Sequence, residues 1–469
     1  MATKHSVGWG LAVCAVMLTE GCVSAQYRAP KVDVPASFAP YDALGANAAL
    51  DRWWNLFGDR QLTRLVELGL ENAPDARTAL AVLNEARATR SQALSQFDPQ
   101  GSVSAGASVE RVQVTPAPWV TQKVYSVGFS PSWELDLFGR RGANRQAADA
   151  DFDMARFQFE ASRQTLAADI ATDLFEARAN AVRLEQARET LRIASSLARV
   201  GERRVSSGIG SRADAASLQA DEATAAAAVR NYDAQLEIST RTLLILIGRG
   251  TDPLESLPVA ADLGAPPAVP SSTPATLLVR RPDIRQAEFK LRAAAANLKL
   301  DSLALLPTLN ILPSASYQPI VGPGGYTTSL WSMGAGLTLP LLNRRRLLAQ
   351  VQGQRARTEQ AVIAYENAVQ SGFGEAQNRL SLYAADRDRL GTLGRAEDRA
   401  HSAFLSQQAG YKAGVVDLTT LLQDERTWRT NLAALSDHRA NTLIDAVNVF
   451  LALGGGWPAS RAGIAATVN

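Results

Sequence analysis

Arg281-Pro282-Asp283-Ile284-Arg285, followed by Leu306-Pro307, decides the reading of this chain because the unit occurs twice. Pro74-Asp75-Ala76-Arg77 stands 208 positions earlier, and Phe97-Asp98-Pro99 matches Leu305-Leu306-Pro307 at the same offset. In both copies Pro-Asp-x-Arg precedes a second proline by 25 residues. Ala79, Ala86 and Ala88 match Ala287, Ala294 and Ala296, and Gly128-Phe129-Ser130 matches Gly336-Leu337-Thr338. The offset is 204 where Arg140-Arg141 meets Arg344-Arg345, and 206 where Val205-x-x-Gly208 meets Tyr411-x-x-Gly414. A register kept through most of both halves identifies a tandem duplication, so one half explains much of the other.

Each Pro-Asp-x-Arg unit opens an Ala-rich helical stretch, and the period changes after its second proline. Val103, Ala105, Ala107 and Val109 alternate with serines and a glycine. Tyr125, Val127, Phe129, Pro131, Trp133 and Leu135 do the same after a loop holding Pro116 and Pro118. The second half repeats the hairpin with Leu309, Ile311, Pro313, Ala315 and Tyr317, then Trp331, Met333, Ala335, Leu337 and Leu339. Strands of about ten residues with one apolar face suit a transmembrane barrel with lipid outside and water inside. Four strands cannot close a barrel, and open edges are excluded from hydrocarbon. Several chains must therefore share it, and three chains supply twelve strands. Proline-free stretches with an apolar heptad series, Ile170, Ala177, Leu184, Leu191, Ala198 and Val205, follow each hairpin. They predict helical rods of about 100 Å.

The sequence thus divides into a signal peptide at 1–21, an extended N-terminal segment at 22–58 and a first repeat at 59–248. That repeat holds short helices at 59–96, strands at 100–114 and 123–137, and long helices at 139–206 and 211–248. A Pro-rich linker covers 249–274. The second repeat, 275–453, holds short helices at 275–305, strands at 308–318 and 330–341, and long helices at 343–408 and 417–453. A tail covers 454–469, and the small-residue-rich part after Gly454-Gly455-Gly456-Trp457-Pro458 reads as loose.

The net charge is +2 from 48 Lys+Arg and 46 Asp+Glu, with no basic block, which gives no footprint for nucleic acid. Val7 to Leu18 is too short an apolar run to span a bilayer and reads as the core of a secretory signal. Cys22 follows Leu18-Thr19-Glu20-Gly21, which resembles a bacterial lipobox and makes Cys22 the candidate lipidation site. Thr19 and Glu20 depart from the usual lipobox residues, and cleavage after Val23-Ser24-Ala25 is the alternative.

The Pro-Asp-x-Arg units, the Trp133-Glu134-Leu135-Asp136-Leu137-Phe138-Gly139 block, Arg280-Arg281-Pro282-Asp283-Ile284, Tyr411-x-x-Gly414 and Gly454-Gly455-Gly456-Trp457 together resemble outer-membrane efflux lipoproteins. These are the NodT/OprM-type members of the TolC-like superfamily. The resemblance covers about residues 22 to 457. It implies a mixed α/β membrane protein: a homotrimer whose four strands per chain build a shared 12-stranded outer-membrane barrel, continuous with a long α-helical periplasmic barrel made by the two tandem repeats. It implies a belt holding the linker and chain ends, outer-membrane lipid around the barrel, a periplasmic adaptor (membrane fusion) protein, and an inner-membrane transporter of the RND type. The function expected is the exit duct of a tripartite efflux pump; a type I protein secretion channel is the second reading. A secreted coiled-coil structural or adhesive protein without a pore is the reading from another class.

No cofactor, metal cluster or catalytic motif stands out, and His401 and His438 lie singly on predicted long helices. The resemblance places the two helical turns at the periplasmic end of the duct. Arg203, Arg204, Arg212 and Asp214 stand at the first turn; Tyr411, Lys412, Val416 and Asp417 at the second. Three copies would ring a narrow mouth with charge. Helix capping is the competing role for both aspartates, and Ser211-Arg212-Ala213-Asp214 has the form of a capping box. Relatives often carry an aspartate where Val416 stands, which leaves open whether Asp417 faces the pore.

For the anchor, labelled palmitate is expected to enter the wild-type chain and not Cys22→Ala. Equal labelling of both removes the lipid anchor.

Overall fold

In a computed structural model, residue 35 and residues 50–113, 115–269 and 280–457 are described. The signal peptide, Cys22, Pro270, Pro274 and the end of the tail lie outside them. Seven α-helices and four strands are present among the described residues: α1 (Arg60–Asn72), α2 (Pro74–Ser95), β1 (Gln100–Val112), β2 (Val120–Leu135), α3 (Arg140–Ser206), α4 (Arg212–Leu246), α5 (Pro282–Leu303), β3 (Thr308–Val321), β4 (Thr327–Thr338), α6 (Arg344–Lys412) and α7 (Leu418–Ala452). Short 3-10 turns occupy Leu50–Phe57 and Leu254–Ser256.

The strands form one antiparallel sheet in the order β1-β2-β3-β4, so the pairing of β2 with β3 joins the two repeats. Pairing in register puts Val103, Phe129, Ala315 and Trp331 in one row across all four strands. The row behind it holds Ser104, Gly128, Ser316 and Leu330. One face is thus apolar and exposed, with Val103 and Met333 each 72% open. The other is mostly small or polar, and Ser314 and Ser332 share a 2.8 Å hydrogen bond on it. β2, β3 and β4 run further into their loops than alternation alone predicts, with Val120 pairing with Val112 and Pro319 with Thr327, whereas β1 ends at Val112, short of the expected 114.

Helices α3 and α6, of 67 and 69 residues, are the rods. Below the strands α3 packs on α2, α5 and α1, and further along on α4 and α7; α6 packs on α5 and α7. The helical layer therefore follows the strand order, with α2 and α4 at one side and α6 at the other. Alanines fill the α3 seam (Ala167, Ala168, Ala171, Ala177 and Ala198 are buried), which brings backbones close.

The main core lies where the repeats meet. Leu50–Phe57, read from the sequence as extended, instead turns inward, since Trp53 stacks on Phe450 at 5.6 Å and is fully buried. The linker is also packed there, through Leu257, Leu263 and Val269, and Tyr383 Oη donates to the Pro267 carbonyl. The start of the tail packs there as well: Gly456 N–H donates to the Leu50 carbonyl at 2.8 Å, and buried Trp457 donates to the Arg280 carbonyl at 2.9 Å.

The recurring sequence unit has a packing reason in each copy. Gly248 (φ +77°) and Gly454 (φ +73°), 206 residues apart, end α4 and α7. A Cβ on Gly248 would lie 2.8 Å from the Asn72 carbonyl oxygen, and one on Gly454 would lie 2.8 Å from the Arg280 carbonyl carbon. Each glycine thus lets the end of a returning helix touch the entrance to a Pro-Asp-x-Arg helix. Arg281, buried in the second copy, donates to the Ala452 carbonyl at 2.9 Å, to Asp283 at 2.7 Å and to Glu375 at 2.8 Å. The first copy is held differently. Asp59 caps α1 through the Gln61 and Leu62 amides and pairs with Arg178 of α3.

Gly248→Ala and Gly454→Ala are each expected to lower stability by about 2 kcal/mol, from positive φ and backbone overlap together. Gly353→Ala, on α6 with open space around it, is expected to be neutral or to stabilise by up to about 1 kcal/mol. Thermal unfolding of the three variants checks this.

Candidate functional site

Both helical turns lie at the ends of the rods, and each is built by one left-handed glycine. After α3, Gly208 takes φ +75°, and the Ile209 amide returns to the Arg204 carbonyl at 2.9 Å. After α6, Gly414 takes φ +78°, and the Val415 amide returns to the Gly410 carbonyl at 3.0 Å. These are matching helix-terminating motifs. α6 runs through residue 408, where the sequence reading ended it, to Lys412. Gly410 stays helical and leaves room for Val416 to fold back over it; a Cβ there would lie 2.6 Å from Val416 Cγ2.

The aspartates divide the capping differently from the sequence expectation. Ser211 alone caps α4, accepting from the Ala213 amide at 3.1 Å, and no capping box forms with Asp214. Asp214 is exposed in the first turn, and its side chain makes no hydrogen bond or ion pair among the described residues. Asp417 is itself the cap of α7: one oxygen accepts from the Thr420 amide and the other from the Thr420 hydroxyl, each at 2.9 Å. Those bonds, the amide first, hold its carboxyl below the usual range, so it stays ionised. Arg204, Arg212 and Lys412 are exposed and make no side-chain ion pair among the described residues; Tyr411 is half-buried. Arg203 bonds the Arg199 carbonyl at 3.3 Å.

The two turns also present Ile209 and Val415, 71% and 80% exposed, at equivalent positions. The sequence reading passed over this pair, although the 206-residue offset and the glycine before each made it visible. About two turns above the tips, Arg426 of α7 pairs with Asp221 of α4 at 2.8 Å and ties the two helical hairpins together. Beside it Glu425 is buried and pairs with Arg429 at 3.2 Å; burial raises its carboxyl pKa. His401 and Phe404 of α6 each stack on Trp428, at 4.8 and 5.1 Å, and the indole N–H donates to Glu397 at 2.8 Å. Trp428, Arg426 and Arg429 line a groove of about 790 Å³ between α3, α4 and α7. Pattern reading could not reach the Arg426–Asp221 pair or the contacts of Trp428, because their partners lie on different helices.

Higher on α3, Asp173, Glu176 and Asn180 line a hollow of about 210 Å³ against Gln235 and Ser239 of α4. Burial, then Glu176 and Asp169, push the Asp173 carboxyl up to about 6. No group of acidic, His or Cys side chains suited to a metal occurs among the described residues. No described helix is long and apolar enough to cross a membrane.

The model of the family described as "Outer membrane efflux protein" matches residues 65–249 and 273–455. The pyoverdine export outer membrane protein OpmQ of Pseudomonas aeruginosa is 28% identical over 91% of this chain and 92% of its own length. The probable outer membrane lipoprotein SilC of Salmonella typhimurium is 26% identical over 95% and 98%. Among solved structures, the outer-membrane channel OprN superposes with a TM-score of 0.82 at 27% identity, over 92% of this chain and 98% of that one.

Because the neutral Asp173 carboxyl is the form that folding favours, its contribution is whole below pH 3.8 and lost as pH rises past about 6. Asp173→Asn is therefore expected to raise the thermal midpoint at pH 7 and to flatten its pH dependence between those values. An unchanged pH profile refutes the raised carboxyl.

Proposed function

The chain belongs to the outer membrane efflux protein family, and on that premise we propose that three copies form the outer-membrane exit duct of a tripartite efflux pump. The observation that carries the reading is the matched pair of open sides. Among the described residues, β1 and β4 have no partner strand on their outer edges. β1 lies on the side of α2 and α4, and β4 on the side of α6. Joining β4 of one copy to β1 of the next is head-to-tail, and such contacts close into a ring. Three copies give twelve strands, an even number within the range of bacterial barrels. The same join covers Ile363, Leu382 and Leu405 on α6 and Val82, Ile238 and Ile245 opposite, all exposed in the single chain.

The apolar sheet face then meets outer-membrane lipid and the small polar face lines water. The rods continue the passage into the periplasm. OpmQ and SilC are described as an export protein and a lipoprotein of the outer membrane, which supports a lipid anchor at Cys22 here. A periplasmic adaptor meets the tips, where Ile209 and Val415 offer apolar contacts. An RND-type inner-membrane transporter supplies the energy, and the duct itself is passive. The tips form the gate: Asp417, Lys412, Arg204, Arg212 and Asp214 ring the mouth, and Asp221–Arg426 holds neighbouring hairpins together.

The purified protein is expected to run as a detergent-dependent trimer that conducts ions in planar bilayers. A water-soluble monomer without conductance overturns the duct. Asp221 and Arg426 are part-exposed, so each pair contributes about 0.2–1 kcal/mol, and breaking three shifts the gate by about 0.6–3 kcal/mol. Arg426→Ala should therefore raise conductance. Asp417→Asn, which keeps the cap but removes charge, separates a gating role from capping; unchanged conductance leaves only the cap.

A further inference from the structure

The two repeats differ at one place where their topology is the same, the junction between hairpin and rod. In the first repeat the arginines are matched by acids. Arg140 pairs with Glu134 at 2.9 Å and Arg141 with Asp98 at 3.1 Å. Asp136 accepts from the Gly139, Arg140 and Arg141 amides at 2.8, 2.8 and 3.0 Å, capping α3. The second repeat has Arg344, Arg345 and Arg346 in the equivalent place, all exposed. Leu306 stands where Asp98 does, and no acidic residue occurs between Asp301 and Glu359. Arg344 and Arg345 have no side-chain partner among the described residues, and Arg346 reaches only the neutral Gln350 at 3.3 Å.

Nothing local accounts for three cations there. The first turn of a helix disfavours positive charge, and Asn343 offers no side-chain cap. The residues just before them are equally unaccounted for within the chain: Leu341 is 68% exposed and Leu342 fully exposed. They follow directly from Leu337 on the apolar face of β4, which ends at Thr338. Two open leucines that continue a lipid-facing surface, followed at once by three unmatched arginines, have the chemistry of a membrane boundary. Apolar side chains reach into acyl chains there while guanidiniums meet phosphates.

We infer that Leu341, Leu342 and Arg344–Arg346 form a collar that binds anionic phospholipid headgroups in the membrane leaflet facing the periplasm. The inference rests on the barrel reading above and adds a specific lipid site to it. Three copies would place nine arginines at the rim where barrel becomes tunnel. Arginines near an anionic surface contribute about fivefold each in affinity, within a Debye length. The first repeat, whose arginines are already paired, contributes little.

The test is native mass spectrometry of the full-length trimer after exposure to mixed phosphatidylglycerol and phosphatidylcholine vesicles. Wild type is expected to retain phosphatidylglycerol at least about fivefold over phosphatidylcholine, with the preference lost in high salt. The triple variant Arg344→Gln, Arg345→Gln, Arg346→Gln should retain both alike, whereas the three Arg→Lys changes together keep the preference. Arg140→Gln with Arg141→Gln should leave it intact. A triple variant that keeps the preference overturns the collar. So does one whose trimer falls apart while the remaining trimer binds lipid as before, since the arginines then serve a neighbouring subunit. Loss of the preference on adding inorganic phosphate alone also overturns it, in favour of a free-anion site. Conductance of each variant in the same vesicles keeps the two readings apart: conduction without lipid preference sinks the collar and spares the duct.

Discussion

A strand edge with unpaired N–H and C=O groups cannot face hydrocarbon, because each unmet group costs several kcal/mol where no water can replace the partner. That constraint governs this chain. Its sheet has four strands, an apolar face open to the outside and two free edges. The free edges fall at opposite sides, and the helices beneath them fall in the same order. Closing the sheet and closing the helical layer are therefore one event. The open leucines and isoleucines along α2, α4 and α6, costly on a monomer, are covered by the same join.

The duplication supplies the framework, and its departures carry the specialisation. Gly248 and Gly454 solve one problem twice: each admits the entrance of a short helix against the end of a returning rod. Around them the repeats diverge. The first is fastened by Asp59 and Arg178, the second by Arg280, Arg281 and the chain ends. Burial alone would raise the Asp59 carboxyl, but Arg178 and two helix amides outweigh it and hold it ionised. At the junction with the sheet, acids balance the arginines of the first repeat and are missing from the second. A trimer of such chains has six similar helical hairpins but only threefold chemistry.

On the proposed reading, capping and gating compete for the same side chains at the tips. Asp417 spends both oxygens on Thr420, so its charge is fixed in place and ionised, directed by the cap. The tie between the hairpins is made further up, by Asp221 and Arg426, where a part-exposed pair is weak enough to be broken. A mouth closed by a few such pairs can open without unfolding the rods.

The sequence by itself determined the duplication, the two hairpins, the two pairs of rods and the need for several chains. All of these rest on periodicity along the chain, and spacing is a local property that survives in one dimension. Pro282, Pro307 and their partners mark turns by fixing φ, and Gly208 and Gly414 end helices by permitting positive φ; no distant contact is needed to read them. Only the tertiary structure decided the rest. Leu50–Phe57 looked extended because its polar, Pro-rich approach hides Trp53, which finds Phe450 some 400 positions away. Gly454 to Trp457 meet Leu50 and Arg280, residues far away in the chain that spacing along the sequence does not bring to them. Ser211 rather than Asp214 capping α4, Arg426 meeting Asp221, and the arginines of α6 standing without acids are facts about which helices become neighbours. They are settled by packing across the chain, to which a periodic pattern is blind.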